Sequence, residues 1–426
     1  MKVLVVSYLP WRDDISVGNT LSNIFQGLEN QIEFANIYFR DDQPDNTIVT
    51  NYFHISEKLL AKRIFTRKNT GGEIIPQKSR KNESFSKSYN QARKMRWELM
   101  LLAQDMIGIL AKWKSPQLDA FLEKFSPDII FGPLGRVPVS NNLMTYISRK
   151  YNIPLITYPW DDHYSLKKIS YSPIFWIKTF IERQAIRKCA KQSVFLYAIT
   201  EQMQIEYQKY FHKKINLLYK GYDFKDRKIE KSISFPIRMI YMGNLGSGRW
   251  KIIEKVASAI NEINQIGGKK FELFIYSQSP KSNEMVRKLD IGDSHLMKPV
   301  LSSELHKTMN SADILLHVEP TTPKDRSFFR LSFSTKLVDY FYNARCILAI
   351  GGDTASMHYL KDNDAAIVEL DIDNIKNKLE EIINTPPIIL EYSMKAWNCG
   401  MKNHQIKIIQ ENLYNDFRNV IKNKKR

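Results

Sequence analysis

Short runs of apolar residues alternate with longer amphipathic stretches along the whole chain. The runs read as strands, and stretches with apolar residues at three- and four-residue spacing read as helices. In the first half, strands are expected at Lys2–Ser7, Phe34–Tyr38, Asp128–Phe131, Pro154–Tyr158, Val194–Ile199 and Ile215–Leu218. In the second half they fall at Arg238–Met242, Phe271–Tyr276, His295–Met297, Asp313–Val318, Cys346–Ile350 and Ala365–Glu369. Helices are expected at Asn19–Leu28, Tyr89–Trp113, Pro116–Phe125, Asn141–Tyr151, Pro173–Lys191 and Glu201–Phe211, then at Trp250–Ile266, Ser303–Asn310, Thr335–Tyr342, Ala355–Leu360 and Ile372–Ile383. Alternating strand and helix is the pattern of parallel α/β domains. A charged break at Asp223–Pro236 separates two such series, and 426 residues are too many for one ordinary domain. The expectation is an α/β chain with two doubly wound domains, 1–225 and 226–391, facing a cleft at the carboxyl ends of their strands. A helical segment, 392–426, follows and has the option of crossing back to the first domain. Gly71-Gly72 through Ser88 lacks apolar periodicity and reads as a mobile loop.

Composition narrows the class. Hydrophobic residues make up 43% and aromatics 12%, enough for packed cores rather than disorder. The three cysteines, Cys189, Cys346 and Cys399, are odd in number and widely spaced, which suits a reducing compartment and gives no zinc pattern. Met1–Val6 is too short for a signal peptide, and no stretch reaches the roughly 20 apolar residues of a spanning helix. A cytoplasmic protein is therefore expected. The net charge of +18 is unevenly placed: residues 1–225 carry 33 Lys+Arg against 21 Asp+Glu. Between Lys58 and Arg96 there are 12 basic and two acidic residues, interleaved with Leu59, Leu60, Ile64 and Phe65. Basic charge mixed with apolar residues suits an anionic membrane surface. Peripheral attachment to the inner face of the plasma membrane thus stays open, and the aromatic run Pro173–Phe180 fits either that or helix packing. No nucleic-acid-binding signature accompanies the charge, so no nucleic-acid partner is expected.

Two loops carry candidate chemistry. Arg330-Leu-Ser-Phe-Ser-Thr-Lys-Leu-Val-Asp-Tyr-Phe341 lies between two expected strands and brings Ser332, Ser334, Thr335 and Lys336 to a helix start. Free amides and the helix dipole there favour an anion. Asp339 follows Thr335 by one helical turn on the same face. Ser/Thr capping with a solvated lysine is the plainer reading. The second loop, Tyr241-Met-Gly-Asn-Leu-Gly-Ser-Gly-Arg-Trp-Lys251, follows a strand and opens a helix. Gly243, Gly246 and Gly248 permit tight turning and close ligand approach, while Arg249 and Lys251 offer charge for a diphosphate. Its spacing is not the dinucleotide fingerprint.

These loops, together with Pro299-Val-Leu-Ser-Ser-Glu-Leu305 and Ser311-Ala-Asp-Ile-Leu-Leu-His317, resemble in order and spacing the nucleotide-binding domain of GT-B glycosyltransferases. They resemble especially the large retaining family 4, which includes capsule and lipopolysaccharide transferases. The resemblance covers most of residues 237–370; the first half matches more weakly, through its opening strand and Tyr158-Pro-Trp-Asp-Asp-His-Tyr164. It implies two Rossmann-like domains and a nucleotide-diphosphate sugar as co-substrate, with a UDP-sugar favoured, and no further cofactor or metal. The acceptor would be a saccharide or a polyprenyl-linked saccharide of surface polysaccharide synthesis. The family usually carries two glutamates eight positions apart; here Leu331 and Asp339 occupy those places. It implies that Asp339 holds ribose hydroxyls, that Arg249 replaces a phosphate-binding lysine, and that Asn244 stands where an arginine is usual. Glu319, ending a strand nearby, is an alternative sugar-contacting acid, and Val300 and Ser277-Gln278 are expected near the base.

In the first half, Gly18 in Tyr8–Thr20 could let the loop approach a donor phosphate; Asn19 or Thr20 capping a helix explains the same residues. Asp161, Asp162 and His163 follow an expected strand and are candidates to orient or deprotonate the acceptor, with Asp162 favoured to point inward. Catalysis would fall mainly to Arg249 and Lys336, stabilising the leaving group. The rival readings are a sugar-nucleotide epimerase of the same fold and an inactive membrane-associated scaffold.

Overall fold

The computed structural model describes residues 1–63, 71–75, 98–111, 113–225 and 233–424. The chain divides into two compact units. The first contains Met1–Leu166, Ser170–Tyr219 and Ile408–Arg426, and the second contains Lys167–Ile169 and Lys220–Lys407. Most of the basic stretch between Lys58 and Arg96, and of the loop expected through Ser88, lies outside the described residues.

The first unit is built on β1 (Lys2–Val6), β2 (Glu33–Tyr38), β3 (Asn51–Ile55), β4 (Gly71–Ile74), β5 (Ile129–Pro133), β6 (Leu155–Tyr158), β7 (Phe195–Ala198) and β8 (Ile215–Leu217). Among the described residues they form one sheet in the order β4-β3-β2-β1-β5-β6-β7-β8. Every neighbouring pair is parallel except β3 and β4, which run antiparallel with Tyr52 opposite Ile74. Val3, Leu4, Val5 and Val6 are fully buried, because a central parallel strand has helices on both faces. β4 replaces part of the expected loop: two glycines and a lone apolar residue give no periodic signal, yet they pair along the sheet edge.

The second sheet comprises β9 (Ile237–Met242), β10 (Phe271–Tyr276), β11 (Ser294–Met297), β12 (Ile314–Glu319), β13 (Cys346–Gly351) and β14 (Ile367–Glu369). Its order is β11-β10-β9-β12-β13-β14, all parallel. The chain winds outward from β9 to one edge, then returns to the other side of β9. The strand order therefore reverses between β9 and β12, and in the first sheet between β1 and β5. The connections from adjacent strands diverge at such a point and open a crevice at the carboxyl ends. Helix Arg249–Gly267 covers one face, burying Ile252, Ile253, Val256, Ile260 and Ile263 at helical spacing.

The C-terminal region is two helices, Pro387–Asn403 and Ile406–Lys424. Phe417 on the second is fully buried and packs its ring at a tilt against Phe25 and Phe131, at centroid distances of 6.3 and 5.8 Å. Asp416 beside it accepts from Tyr197 Oη and Asn216 Nδ2, each at 2.8 Å. The helix thus completes the apolar face of the first unit. Among the described residues, no helix is long and apolar enough to cross a membrane. Phe417→Ala should destabilise the chain by about 3–5 kcal/mol, the usual cost of emptying a buried aromatic site. Urea unfolding followed by tryptophan fluorescence measures this, and an unchanged midpoint would show that the helix does not complete that core.

Candidate functional site

The carboxyl ends of β9 and β12, on either side of the strand-order reversal, carry a cluster of charged side chains. β12 ends in His317-Val-Glu319, and the strand period of two places His317 and Glu319 on one face. Both are buried. Glu319 Oε1 lies 3.1 Å from His317 Nε2, and Oε2 lies 3.3 Å from Arg249 Nη2. Burial pushes the Glu319 carboxyl up, but the His317 contact and the charges of Arg249 and Lys336 outweigh it and hold the group below its ordinary value.

Arg249 is the first residue of the helix that follows β9. Its Nε donates to the Val318 carbonyl at 3.1 Å, and its guanidinium lies 4.5 Å from the centre of the Phe329 ring. The fork is thereby fixed from two sides while its remaining donors stay available. Lys336 begins the helix Lys336–Tyr342 and donates to the Met242 carbonyl, the last of β9, at 2.8 Å. A side chain at Gly243 would overlap Lys336 Nζ and the Tyr241 hydroxyl, so glycine makes room for the lysine. The Lys336 ammonium is pushed down to about 8, first by burial and then by the Arg249 charge, with Glu319 and Asp339 acting in the opposite direction.

The connecting loop is locked by side chains. Asn244 Oδ1 accepts from Gly246 N at 2.7 Å and from Ser279 Oγ at 3.0 Å, while Tyr241 Oη donates to the Asn244 carbonyl at 2.7 Å. Asn244 is therefore a turn former. Ser247 and Gly248 both take left-handed conformations, with φ of 53° and 76°. Gly248 supplies this at the cap position, where a β-carbon would strain. Among the described residues neither of their amides donates to a protein group.

Asp339 lies on the same helix as Lys336, buried, and forms an ion pair with Lys220 Nζ at 2.6 Å while accepting from Tyr222 Oη at 2.5 Å. Lys220 is held in turn by His404, whose Nδ1 is 2.9 Å from the Lys220 carbonyl and whose Nε2 is 2.8 Å from Tyr359 Oη. Burial lowers His404 to about 4, so it is neutral near pH 7. A carbonyl only accepts, so Nδ1 carries the proton and Nε2 accepts from Tyr359.

Comparison with solved structures gives likenesses across nearly the whole chain. HepE of Anabaena, solved in complex with UDP and glucose, aligns over 98% of this chain and 100% of its own at TM-score 0.63 and 10% identity. The trehalose-6-phosphate synthase OtsA aligns over 98% and 99% at TM-score 0.57 and 12% identity. WaaG, a glycosyltransferase involved in lipopolysaccharide biosynthesis, aligns over 97% and 98% at TM-score 0.55 and 11% identity. No family model matches the sequence, and no curated protein matches it. The fold is that of the GT-B glycosyltransferases.

Within this fold the structure brings Arg249, Lys336, Glu319 and Gly243 together at the carboxyl ends of β9 and β12, with Asp339 close enough to act on the Lys336 charge. Ser334 N donates to Ser356 Oγ at 3.0 Å, Ser332 N to the Phe329 carbonyl at 3.1 Å, and Thr335 caps the short helix without a side-chain bond. Lys251 lies apart from the cluster: it lines a separate hollow with Trp250, Glu254 and Ile372. Val300 lies in the loop after the edge strand β11, partly buried. In the first unit, Gly18 packs so closely on the Arg12 backbone that any side chain would overlap it. Asp161 is exposed and His163 partly buried. Asp162 is buried and accepts from Ser165 N at 2.9 Å, Tyr164 N at 3.3 Å, Tyr207 Oη at 3.1 Å and Ser165 Oγ. Both its oxygens are committed inside the unit. Among the described residues no group of His, Cys, Asp and Glu is placed to hold a metal ion.

Sequence reading did not single out His317, Tyr241, Lys220 or Tyr222. The first had a usable signal, since it stands two before Glu319 on an expected strand. Lys220 and Tyr222 sit in an irregular connection with no periodicity to mark them.

The depressed Lys336 makes stability depend on pH. The unfolded lysine titrates near 10.5 and the folded one near 8, so between these values the unfolded chain binds more protons and this residue makes stability rise with pH. Urea unfolding at pH 8 and pH 10 should show wild type gaining on Lys336→Met over that interval; identical responses would contradict the partly buried placement of this ammonium beside Arg249.

Proposed function

We propose that the second unit binds the diphosphate of a nucleotide sugar and that the protein is a glycosyltransferase. The observation that carries this reading is the pair of cations, Arg249 and Lys336, fixed at the strand-order reversal of a parallel sheet beside the amides of Ser247 and Gly248, which donate to no protein group among the described residues. Planar guanidinium, point ammonium and backbone N–H groups together match a diphosphate in charge and in hydrogen-bonding capacity. HepE, of the same fold, is described in complex with UDP-glucose, which supports a UDP-sugar as the donor.

In the reaction, an acceptor hydroxyl oxygen forms the new bond to the anomeric carbon as the bond from that carbon to the diphosphate oxygen breaks. The bonding electrons leave with the diphosphate, and the acceptor proton passes to a leaving-group oxygen. Arg249 and Lys336 would stabilise the negative charge that grows there, the term that dominates such transfers. That path places donor phosphate and acceptor on one face of the sugar and retains configuration. With two cations and amides in place, the step would need no metal. Glu319 would hold Arg249 in position, and Asp339 would orient the Lys336 helix or reach ribose. A saccharide or lipid-linked saccharide acceptor of surface polysaccharide synthesis, with peripheral attachment to an anionic membrane, completes the proposal.

Calorimetric titration with UDP should give an affinity at least about tenfold weaker for Arg249→Ala, the loss expected for one charge-assisted hydrogen bond. UDP affinity unchanged by the substitution would remove Arg249 from the site. Incubating the protein with UDP-glucose alone and with saccharide acceptors, in EDTA, should give a glycosylated product only when acceptor is present. An isomerised UDP-sugar without acceptor would instead assign an epimerase.

A further inference from the structure

β12 has a neighbour on each side: β9, which leads to Arg249, and β13, whose end carries a feature the diphosphate site does not use. Gly351, the last residue of β13, and Gly352 after it pack directly on the end of β12. A side chain at Gly351 would overlap the Glu319 carbonyl, and one at Gly352 the Pro320 carbonyl. The loop therefore lies flush against β12 and leads at once into helix Ala355–Asp362. Thr354 is the cap residue of that helix, yet its side chain makes no capping bond.

Donors are left over at this helix start. Ala355 N donates to the Arg330 carbonyl at 3.0 Å, but the amides of Ser356 and Met357 donate to no protein group among the described residues. Thr354 Oγ1 has no hydrogen-bond partner there either, although the residue is only 1% exposed. A threonine cap ordinarily accepts from the second or third amide of its helix, and a buried hydroxyl without a partner is costly. Arg326, on helix Pro323–Phe329, adds a charge. Its stem lies over Gly352, where a β-carbon would come within 3.0 Å of Cδ. Its guanidinium makes no hydrogen bond or ion pair among the described residues and is partly exposed, so the place is open to solvent on that side. The acids nearby are already engaged. Asp353 Oδ1 is 2.7 Å from His358 Nε2, Asp325 Oδ2 accepts from Thr322 Oγ1 at 2.8 Å, and Glu319 is held by Arg249 and His317. One planar guanidinium, one hydroxyl and two helix amides suit a singly charged, planar anion. Neighbouring strands lie about 4.8 Å apart, so this place and the diphosphate site flank β12 at a separation comparable to one sugar ring.

We propose that the sugar carried by the donor is a hexuronic acid, its carboxylate held by Arg326, the Thr354 hydroxyl and the amides of Ser356 and Met357. The assignment to a donor rests on the diphosphate reading above; the carboxylate site itself does not. A neutral hydroxymethyl group in the same place leaves the Arg326 charge unanswered, so the site separates acidic sugars from neutral ones.

UDP-glucose and UDP-glucuronate differ only at C6, where one has a hydroxymethyl group and the other a carboxylate. The full-length protein is titrated calorimetrically with each and with D-glucuronate alone. UDP-glucuronate should bind at least about tenfold more tightly than UDP-glucose, as a charge-assisted hydrogen bond is gained. Arg326→Met, which keeps the stem over Gly352, and Thr354→Val, which keeps the shape of the cap residue, should each bring the ratio of the two affinities close to one. Circular dichroism confirms that each variant is folded. Equal binding of the two nucleotide sugars by wild type, tighter binding of UDP-glucose, or a preference for UDP-glucuronate that survives in both folded variants would overturn the proposal. If neither nucleotide sugar binds, the donor reading fails; binding of D-glucuronate that disappears in Arg326→Met would then uphold the carboxylate site, and its absence in wild type would overturn that as well.

Discussion

Two cations share a poorly solvated crevice with one carboxylate, and the arrangement of the second unit follows from keeping them there. Charges taken from water are tolerated only when paired and hydrogen-bonded. Glu319 answers Arg249, the Met242 and Val318 carbonyls receive the remaining short contacts, and Lys336 is left with less compensation than an ordinary lysine. Its lowered proton affinity records that shortfall. A multiply charged anion in the crevice would relieve it. The glycine at 243 and the left-handed turn at 247 and 248 follow from the same need, since each keeps backbone and lysine close without an intervening side chain.

The scaffold explains why these residues meet although they are spread from 243 to 336. β9 and β12 lie side by side, and their following segments diverge at the reversal in strand order. Whatever ends those strands is brought to one place. The Lys220–Asp339 ion pair, steadied by the neutral His404, ties the Lys336 helix to the segment that opens the second unit. Its buried atoms are organised to hold that helix in position.

Much of this was legible in the chain because central parallel strands are buried on both faces and read as unbroken apolar runs. Each run expected as a strand is one, within a residue or two at either end. β3 and β4 escaped because Asn51, His54 and the Gly71-Gly72 pair interrupt any such run at the sheet edge. Helices Asn283–Leu289 and Pro323–Phe329 escaped because seven residues give too little periodicity. In the site, Arg249, Lys336 and Gly243 could be named from loop spacing. The job of Asn244 as a turn former, the pairing of Asp339 with Lys220 and the enclosure of Asp162 could not, because each depends on a partner distant in sequence or on a turn geometry that residue order does not fix. The meeting of Arg326 with Gly352 was invisible for the same reason: the two are joined only by the fold.

Proton exchange on donor binding tests the electrostatic account most directly. Calorimetric titration of UDP at pH 8.5 in buffers of differing ionisation enthalpy should reveal uptake of a large fraction of one proton per UDP bound, as the diphosphate restores the charge of Lys336. At pH 6.8 that contribution should vanish, and at pH 8.5 it should be absent from Lys336→Met. Binding at pH 8.5 without proton uptake, or uptake that persists in Lys336→Met, would contradict the claim that this lysine and Arg249 form the diphosphate site.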